Sequence, residues 1–255
     1  MKNNISFDSE LAKFGRGLFE TIKVWNSQPI FLKEHIDRLY NSIQELKVPF
    51  DMSKEELISK ILSYTEGLKY QALRVTVCAE GYNFSLRDIN YSSGDYEAGY
   101  RVKVASFKRG TSPLYRHKTA NYWENIYARR EAIDSGYNEA LLLNTDDKVL
   151  EGSVSNIFFI KNDILYTPSK ELDLLPGIIR TKVIEIANKL NIEIKLEVIG
   201  IDEIANFDFA FLTNSLIDLM KVRSIEGVEY DQHNNFFDRL VNEFNYQVYG
   251  IEGME

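Results

Sequence analysis

Apolar positions recur along this chain at two spacings, and the spacing changes from stretch to stretch. Over residues 33–47 they fall at Ile36, Leu39, Tyr40, Ile43 and Leu46. That is one stripe of a 3.6-residue period, which predicts an amphipathic helix. Ser53 and Glu56 form a capping box that opens a second helix, and Gly67 ends it. Apolar alternation predicts strands at 21–25, 72–79, 85–89 and 100–107. Ser27-Gln28-Pro29 reads as a turn and 30–32 as a short return strand. The first part of the chain is thus expected to pack helices on a largely antiparallel sheet.

A helical pattern follows Lys118 and runs through Ala132, with polar Asn121, Asn125 and Arg129 recurring among Tyr122, Ile126 and Ile133. Gly136 stops it, and wholly apolar runs at 140–143, 157–160 and 209–212 predict buried strands. Thr145-Asp146-Asp147-Lys148 makes a turn. Leu174 to Arg180 opens a helix reaching Leu190, followed by a strand at 193–198 and a short helix at 201–205. A strand at 217–222 and a last helix at 236–248 complete the reading. Residues 108–117 are polar and basic and contain Pro113, which makes them the expected linker between domains 1–107 and 118–255.

Composition narrows the class. A chain of 255 residues, 44% hydrophobic and 13% aromatic, can bury a sizeable core. Its apolar runs are far shorter than the ~20 residues of a membrane span. No apolar stretch follows the amino-terminal residues, so no secretory signal is expected. The single Cys78 cannot close an internal disulfide, and a cytoplasmic location is expected. The net charge of −8 is spread along the chain, which disfavours nucleic acid and anionic membrane as partners. A small anionic substrate remains compatible where arginines converge. No Cys/His spacing of a zinc site is present, and no metal is expected.

Against this acidic background Arg109, Arg116, His117 and Lys118 form a local excess of positive charge. Most lysines are solvated surface charges. One at a strand-to-helix junction, among other cations, can instead serve as an amine nucleophile or base. Glu151, in Glu-Gly-Ser-Val-Ser-Asn, lies at a strand end between buried segments, where an acid needs a cationic partner. The helix opened by Leu-Pro-Gly-Ile-Ile-Arg offers first-turn backbone N–H groups, a seat for phosphate. Gly15 and Gly17 lack the third glycine and the helix of a dinucleotide loop. Lysine, buried acid, helix start and the helix arginine Arg38 together describe a site for pyridoxal phosphate.

The order and local sequence of these motifs closely resemble the class IV (fold-type IV) pyridoxal-phosphate enzymes, from Phe14 to Ile225. That family holds branched-chain aminotransferases, D-amino-acid aminotransferases and aminodeoxychorismate lyases. The resemblance implies a two-domain α+β / α/β fold with pyridoxal 5′-phosphate between the domains, in a homodimer. Carried over by position, Lys118 of His-Lys-Thr-Ala-Asn-Tyr is the Schiff-base lysine, and Tyr122 reaches the cofactor's phenolic oxygen. Glu151 contacts the pyridine nitrogen. Arg38 of His-Ile-Asp-Arg-Leu, Gly177 with the amides of Ile178 and Ile179, and Ser215 take the phosphate. Ser155, Asn156 and Asn214 complete the expected cofactor contacts.

Phe14-Gly15-x-Gly17 with Phe19-Glu20-Thr21, His117 before the lysine, and Phe211-Leu212-Thr213-Asn214-Ser215-Leu216 are similar to the lyase branch. Phe19 lacks the tyrosine hydroxyl with which D-amino-acid aminotransferases hold a carboxylate. Arg16, where an acid is common, and Lys221, where a proline is common, depart from the lyase pattern. The implied reaction converts 4-amino-4-deoxychorismate to 4-aminobenzoate and pyruvate, with Lys118, Thr21 and Glu151 as its catalytic groups. Phe19, Arg109 and Arg116 are the expected substrate contacts. A class IV aminotransferase for branched-chain or related amino acids shares every cofactor residue. A non-catalytic relative that keeps the scaffold is the third reading.

Overall fold

Two hydrogen-bonded sheets divide the chain of this computed structural model, which describes Met1, Lys2 and residues 4–251. Residues 1–90 and Leu114–Tyr122 form one unit; Tyr91–Pro113 and the chain from Trp123 onward form the other. This differs from the expected division into 1–107, a linker at 108–117, and 118–255. The strand through Lys108 and Arg109 pairs within the second unit's sheet. Residues after Pro113 then return to the first unit, where Thr119 bridges Leu18.

The first unit comprises α1 (Glu10–Phe14), β1 (Gly17–Trp25), β2 (Gln28–Pro29), α2 (Leu32–Glu45), α3 (Lys54–Thr65), β3 (Tyr70–Cys78) and β4 (Gly81–Asp88). Its strands run antiparallel in the order β2-β1-β3-β4. The return strand lies at β2 rather than at 30–32. Asn26 and Ser27 both take left-handed conformations (φ 48° and 68°), so a two-residue hairpin forms and pairing resumes at once. Alternation along β1 then sorts its side chains. Leu18, Ile22 and Val24 join Leu73, Val75 and Val77 of β3 against Ile36, Leu39 and Ile43 of α2 and Leu57 and Ile61 of α3. Each such buried aliphatic contributes about 1.5–3 kcal/mol. The opposite face carries Phe19 and Thr21, set across from Thr76 and Arg74.

The second unit comprises α4 (Ser93–Ala98), β5 (Tyr100–Arg109), α5 (Trp123–Asp134), β6 (Glu139–Asn144), β7 (Val149–Gly152), β8 (Asn156–Lys161), β9 (Ile164–Pro168), α6 (Ile178–Lys189), β10 (Ile194–Glu197), β11 (Phe209–Asn214), β12 (Asp218–Ile225), β13 (Val228–Glu229) and α7 (Asn235–Tyr249). The sheet order is β10-β9-β8-β11-β12-β5-β6-β7, with β13 on β12. β5 pairs in parallel with both β12 and β6. The apolar runs of β6, β8 and β11 are buried on both faces, as continuous runs in a covered sheet should be. Phe158 and Phe211 stack at 4.9 Å, and Phe237 of α7 packs on Phe211. α5 departs from its sequence pattern. It packs through Ala128 and Ala132 on Ala140 and Leu142, while Trp123, Ile126, Tyr127 and Ile133 stay exposed.

Candidate active site

Lys118 is placed by backbone pairing. Phe19 N–H donates to Lys118 O (2.9 Å) and Ala120 N–H to Gly17 O (2.8 Å), so residues 118–120 extend the β1 edge that β2 leaves open. Gly17 is itself tightly enclosed from α1 and β3, since a Cβ there would come within 2.7 Å of Leu11 Cδ1 and 3.0 Å of Val77 O. The Lys118 amine then sits 4.7 Å from the Phe19 ring centroid and 5.3 Å from that of Tyr122. The two rings meet edge-on at 5.2 Å. His117 ties the same segment to α2, its Nδ1 lying 2.9 Å from Ser42 Oγ and its Nε2 3.5 Å from Glu45.

Arg74 was not singled out from sequence, and the structure puts it here. Its guanidinium carbon lies 3.6 Å from the Phe19 ring centroid, and Nε donates to Thr76 Oγ1 at 3.3 Å. Burial pulls its pKa down and the neighbouring Tyr122 opposes that. A lone cation in an alternating strand gives little sequence signal. Only the β1–β3 register, which sets Arg74 opposite Thr21, reveals the shared face. The first unit therefore gathers Phe19, Thr21, Arg74, Lys118 and Tyr122. Arg116 is exposed, and Arg16 pairs with Glu10 at 2.7 Å.

On the helix side of β1, Glu20 is buried and holds Arg38. Arg38 donates from Nε to Oε1 (2.9 Å) and from Nη2 to Oε2 (2.7 Å), and His35 Nδ1 lies 2.7 Å from Oε2. Burial would raise the Glu20 carboxyl. The Arg38 charge and the His35 hydrogen bond outweigh it and bring the group down to about 2. His35 is lowered chiefly by its own burial, against the pull of Glu20.

In the second unit Glu151 is almost fully buried and closely held. Its Oε1 accepts from Arg109 Nη1 (2.8 Å), and its Oε2 from Leu175 N–H (3.0 Å) and Asn156 Nδ2 (3.3 Å). This corrects the expectation for Arg109. Its side chain is 2% exposed and packed on an acid of the same chain, with Glu124 at 3.4 Å, so it is no open contact for a substrate carboxylate. Ser155 is likewise directed inward, donating to Glu139 Oε2 at 3.0 Å, and Ser153 also donates to Glu139. These bonds shape the 152–155 loop that joins Glu151 to Asn156.

Asn156 Nδ2 also donates to Leu175 O (3.0 Å), and its side chain lies against Gly177, the N-cap of α6. A Cβ at Gly177 would stand 1.9 Å from Asn156 Oδ1. Gly177 offers no capping side chain, so the first turn at Ile178 and Ile179 carries its N–H groups and positive dipole end without one. Asn214 Nδ2 bonds Val154 O (3.1 Å), and its Oδ1 accepts from Leu216 and Ile217 N–H. That turn holds Ser215 at the end of β11. Thr213, opposite Asn156 in the ladder, has a buried hydroxyl with no hydrogen-bond partner among the described residues. Sequence reading left Thr213 without a role, since a threonine in a strand is ordinary.

Residues 17–225 match the family model described as amino-transferase class IV. The chain is 28% identical over 244 residues to the aminodeoxychorismate lyase of Bacillus subtilis, covering 85% of this chain and 80% of that one. It is 32% identical over 248 residues to a probable branched-chain-amino-acid aminotransferase of Aquifex aeolicus, covering 88% and 80%. Among solved structures it is similar to a Legionella pneumophila protein provisionally named a 4-amino-4-deoxychorismate lyase. There the TM-score is 0.87 and the identity 29%, with 96% of each chain covered. Among the described residues no helix is long and apolar enough to cross a membrane, and no group of three His, Cys, Asp or Glu side chains could hold a metal.

Proposed function

Because the chain belongs to the class IV aminotransferase family, whose cofactor is pyridoxal 5′-phosphate, we propose that it is an aminodeoxychorismate lyase converting 4-amino-4-deoxychorismate to 4-aminobenzoate and pyruvate. The residues present suit the cofactor. Lys118 offers an amine on an aromatic floor, and Glu151 a carboxylate fixed beside a cation. Arg38 brings a guanidinium held in one plane. Gly177 opens α6 without a side-chain cap, and the buried Thr213 hydroxyl lacks a partner among the described residues.

Bound pyridoxal phosphate supplies an aldehyde carbon that takes amines and a ring that accepts electrons. Lys118 would hold that carbon, and its amine is the base that would take the proton at substrate C4. Glu151, fixed beside Arg109, would face the pyridine nitrogen. Tyr122 would reach the phenolic oxygen, and Arg38, the Ile178 and Ile179 amides and Ser215 would hold the phosphate. Arg74 meets one substrate carboxylate, and exposed Arg116 is the candidate for the other. Thr21 assists protonation of the departing pyruvyl methylene as the ring becomes aromatic.

The observation that carries the lyase reading over its alternative is the face of β1 that bears Phe19 and Thr21. Phe19 brings no hydroxyl to it, while Thr21 stands opposite Arg74 on the face where the Lys118 amine rests on Phe19. A branched-chain aminotransferase would use the same cofactor residues. Purified protein with 4-amino-4-deoxychorismate, lactate dehydrogenase and NADH separates the two. Pyruvate release without a keto-acid acceptor supports the lyase; pyridoxamine formation with a branched-chain amino donor overturns it. A non-catalytic relative would yield no borohydride-trappable adduct at Lys118. The homodimer and the cytoplasmic location belong to the same proposal. The exposed Trp123, Ile126, Tyr127 and Ile133 of α5 are apolar surface of the kind association covers, and sedimentation tests the dimer.

A further inference from the structure

The proposed lyase reading assigns Arg38 to a phosphate but does not say what fixes that long side chain. β1 and α2 answer it between them. Alternation turns Glu20 away from Phe19 and Thr21, towards α2. There His35 and Arg38 lie on the same side of the helix, three residues apart. One carboxylate oxygen is shared by His35 Nδ1 and Arg38 Nη2 and the other receives Arg38 Nε, so both oxygens are engaged and the guanidinium plane is set. Glu20 and His35 are each 1% exposed and Arg38's side chain 12%, so burial and hydrogen bonds lock the clamp together.

Resting on that reading, we infer that Glu20 and His35 are positioning residues that hold Arg38 for the phosphate of the cofactor. Two effects of Glu20 oppose each other. Its negative charge alone weakens an anion site at Arg38, whereas its two hydrogen bonds spare the site the cost of ordering a flexible guanidinium. In Glu20→Gln the charge is gone, and whichever way the amide turns, an NH2 group faces an Arg38 N–H. If geometry governs, affinity for phosphate falls; if charge governs, it rises.

The measurement is the ratio of dissociation constants for pyridoxal and pyridoxal 5′-phosphate, titrated into the full-length apoprotein by fluorescence quenching. The two compounds differ only in the phosphate, so general damage to the pocket moves both and leaves the ratio alone. Glu20→Gln is expected to lower the ratio by about tenfold, the worth of one charge-assisted hydrogen bond. His35→Leu should lower it several-fold. His35→Asn, which returns an N–H near the place of Nδ1, should restore it, and it keeps the test alive if the Glu20 variant does not fold. Arg38→Met is the control. If it collapses the ratio while Glu20→Gln and His35→Leu preserve or raise it, the positioning role is overturned and the site reading stands. If Arg38→Met leaves the ratio intact, Arg38 does not hold the phosphate, and the reading beneath this inference fails with it.

Discussion

Arg109 Nη1 donates to Glu151 Oε1 at 2.8 Å, with the two residues 2% and 6% exposed. A buried acid and a buried cation stabilise one another, and removing one leaves the other's charge without compensation. Arg109→Met is therefore expected to cost about 3–5 kcal/mol, read as a lower urea midpoint. A residue that only met substrate would raise KM and leave that midpoint in place. The second result would return Arg109 to the role its sequence position suggested.

Arg74 makes the opposite case. Its guanidinium rests on Phe19 on the face that carries Thr21. Arg74→Gln keeps a polar side chain but shortens it and drops the charge, so kcat/KM for a dicarboxylate substrate should fall about 10–100-fold. Stability should change by about 1 kcal/mol, the worth of the lost cation–π contact. Steady-state pyruvate release and thermal unfolding of the same preparation check both halves.

Gly177→Ala tests the close packing where α6 begins. Gly177 has an ordinary φ of −67°, so backbone strain plays no part, and the added methyl would meet Asn156 Oδ1 at 1.9 Å. Asn156 must swing away and give up its bonds to Glu151 and Leu175 O. A cost of about 1–3 kcal/mol is expected. Pairing it with Asn156→Ala should cost less than the two single changes added, because the first change already forfeits what the second removes.

Acid should loosen the first unit in two stages of the same sign. His35 has its folded pKa pushed below 6.5 by burial, so unfolding takes up a proton as pH falls beneath that value. Glu20 is held at about 2 against 4.5 when unfolded. Its stabilisation is present above pH 4.5, fades as pH falls towards 2, and is on the order of 3 kcal/mol. Melting temperature against pH should therefore slope downwards from about 6.5. His35→Asn should flatten the upper stage and Glu20→Gln the lower. A profile unchanged in either variant would falsify the assignment for that residue.

Most elements were legible in sequence because one face of each repeats. Ile36, Leu39 and Ile43 mark α2, and the apolar runs of β6, β8 and β11 announce strands covered on both sides. The failures share a cause. β9 and the true position of β2 depend on hairpins built from left-handed Asn162-Asp163 and Asn26-Ser27, a backbone state that side-chain periodicity does not report. α5 starts at Trp123 rather than just after Lys118, because residues 118–120 are taken up in pairing with β1. At the candidate site, the residue types that suggest Lys118, Glu151 and Arg38 as a proposal were readable. The inward turn of Arg109 and the arrival of Arg74 beside Phe19 were not, since both follow from strand register.

The segment Leu114–Tyr122 is bonded to the edge of β1 although the residues before and after it belong elsewhere. Synthesis from the amino terminus therefore completes β1 to β4 well before the stretch that caps Gly17 and Phe19 has been made. Until it arrives, that end of β1 offers bare N–H and C=O groups to any extended neighbour. No single cut releases the first unit whole: a fragment stopping at Asn90 leaves behind both its finishing piece and Lys118.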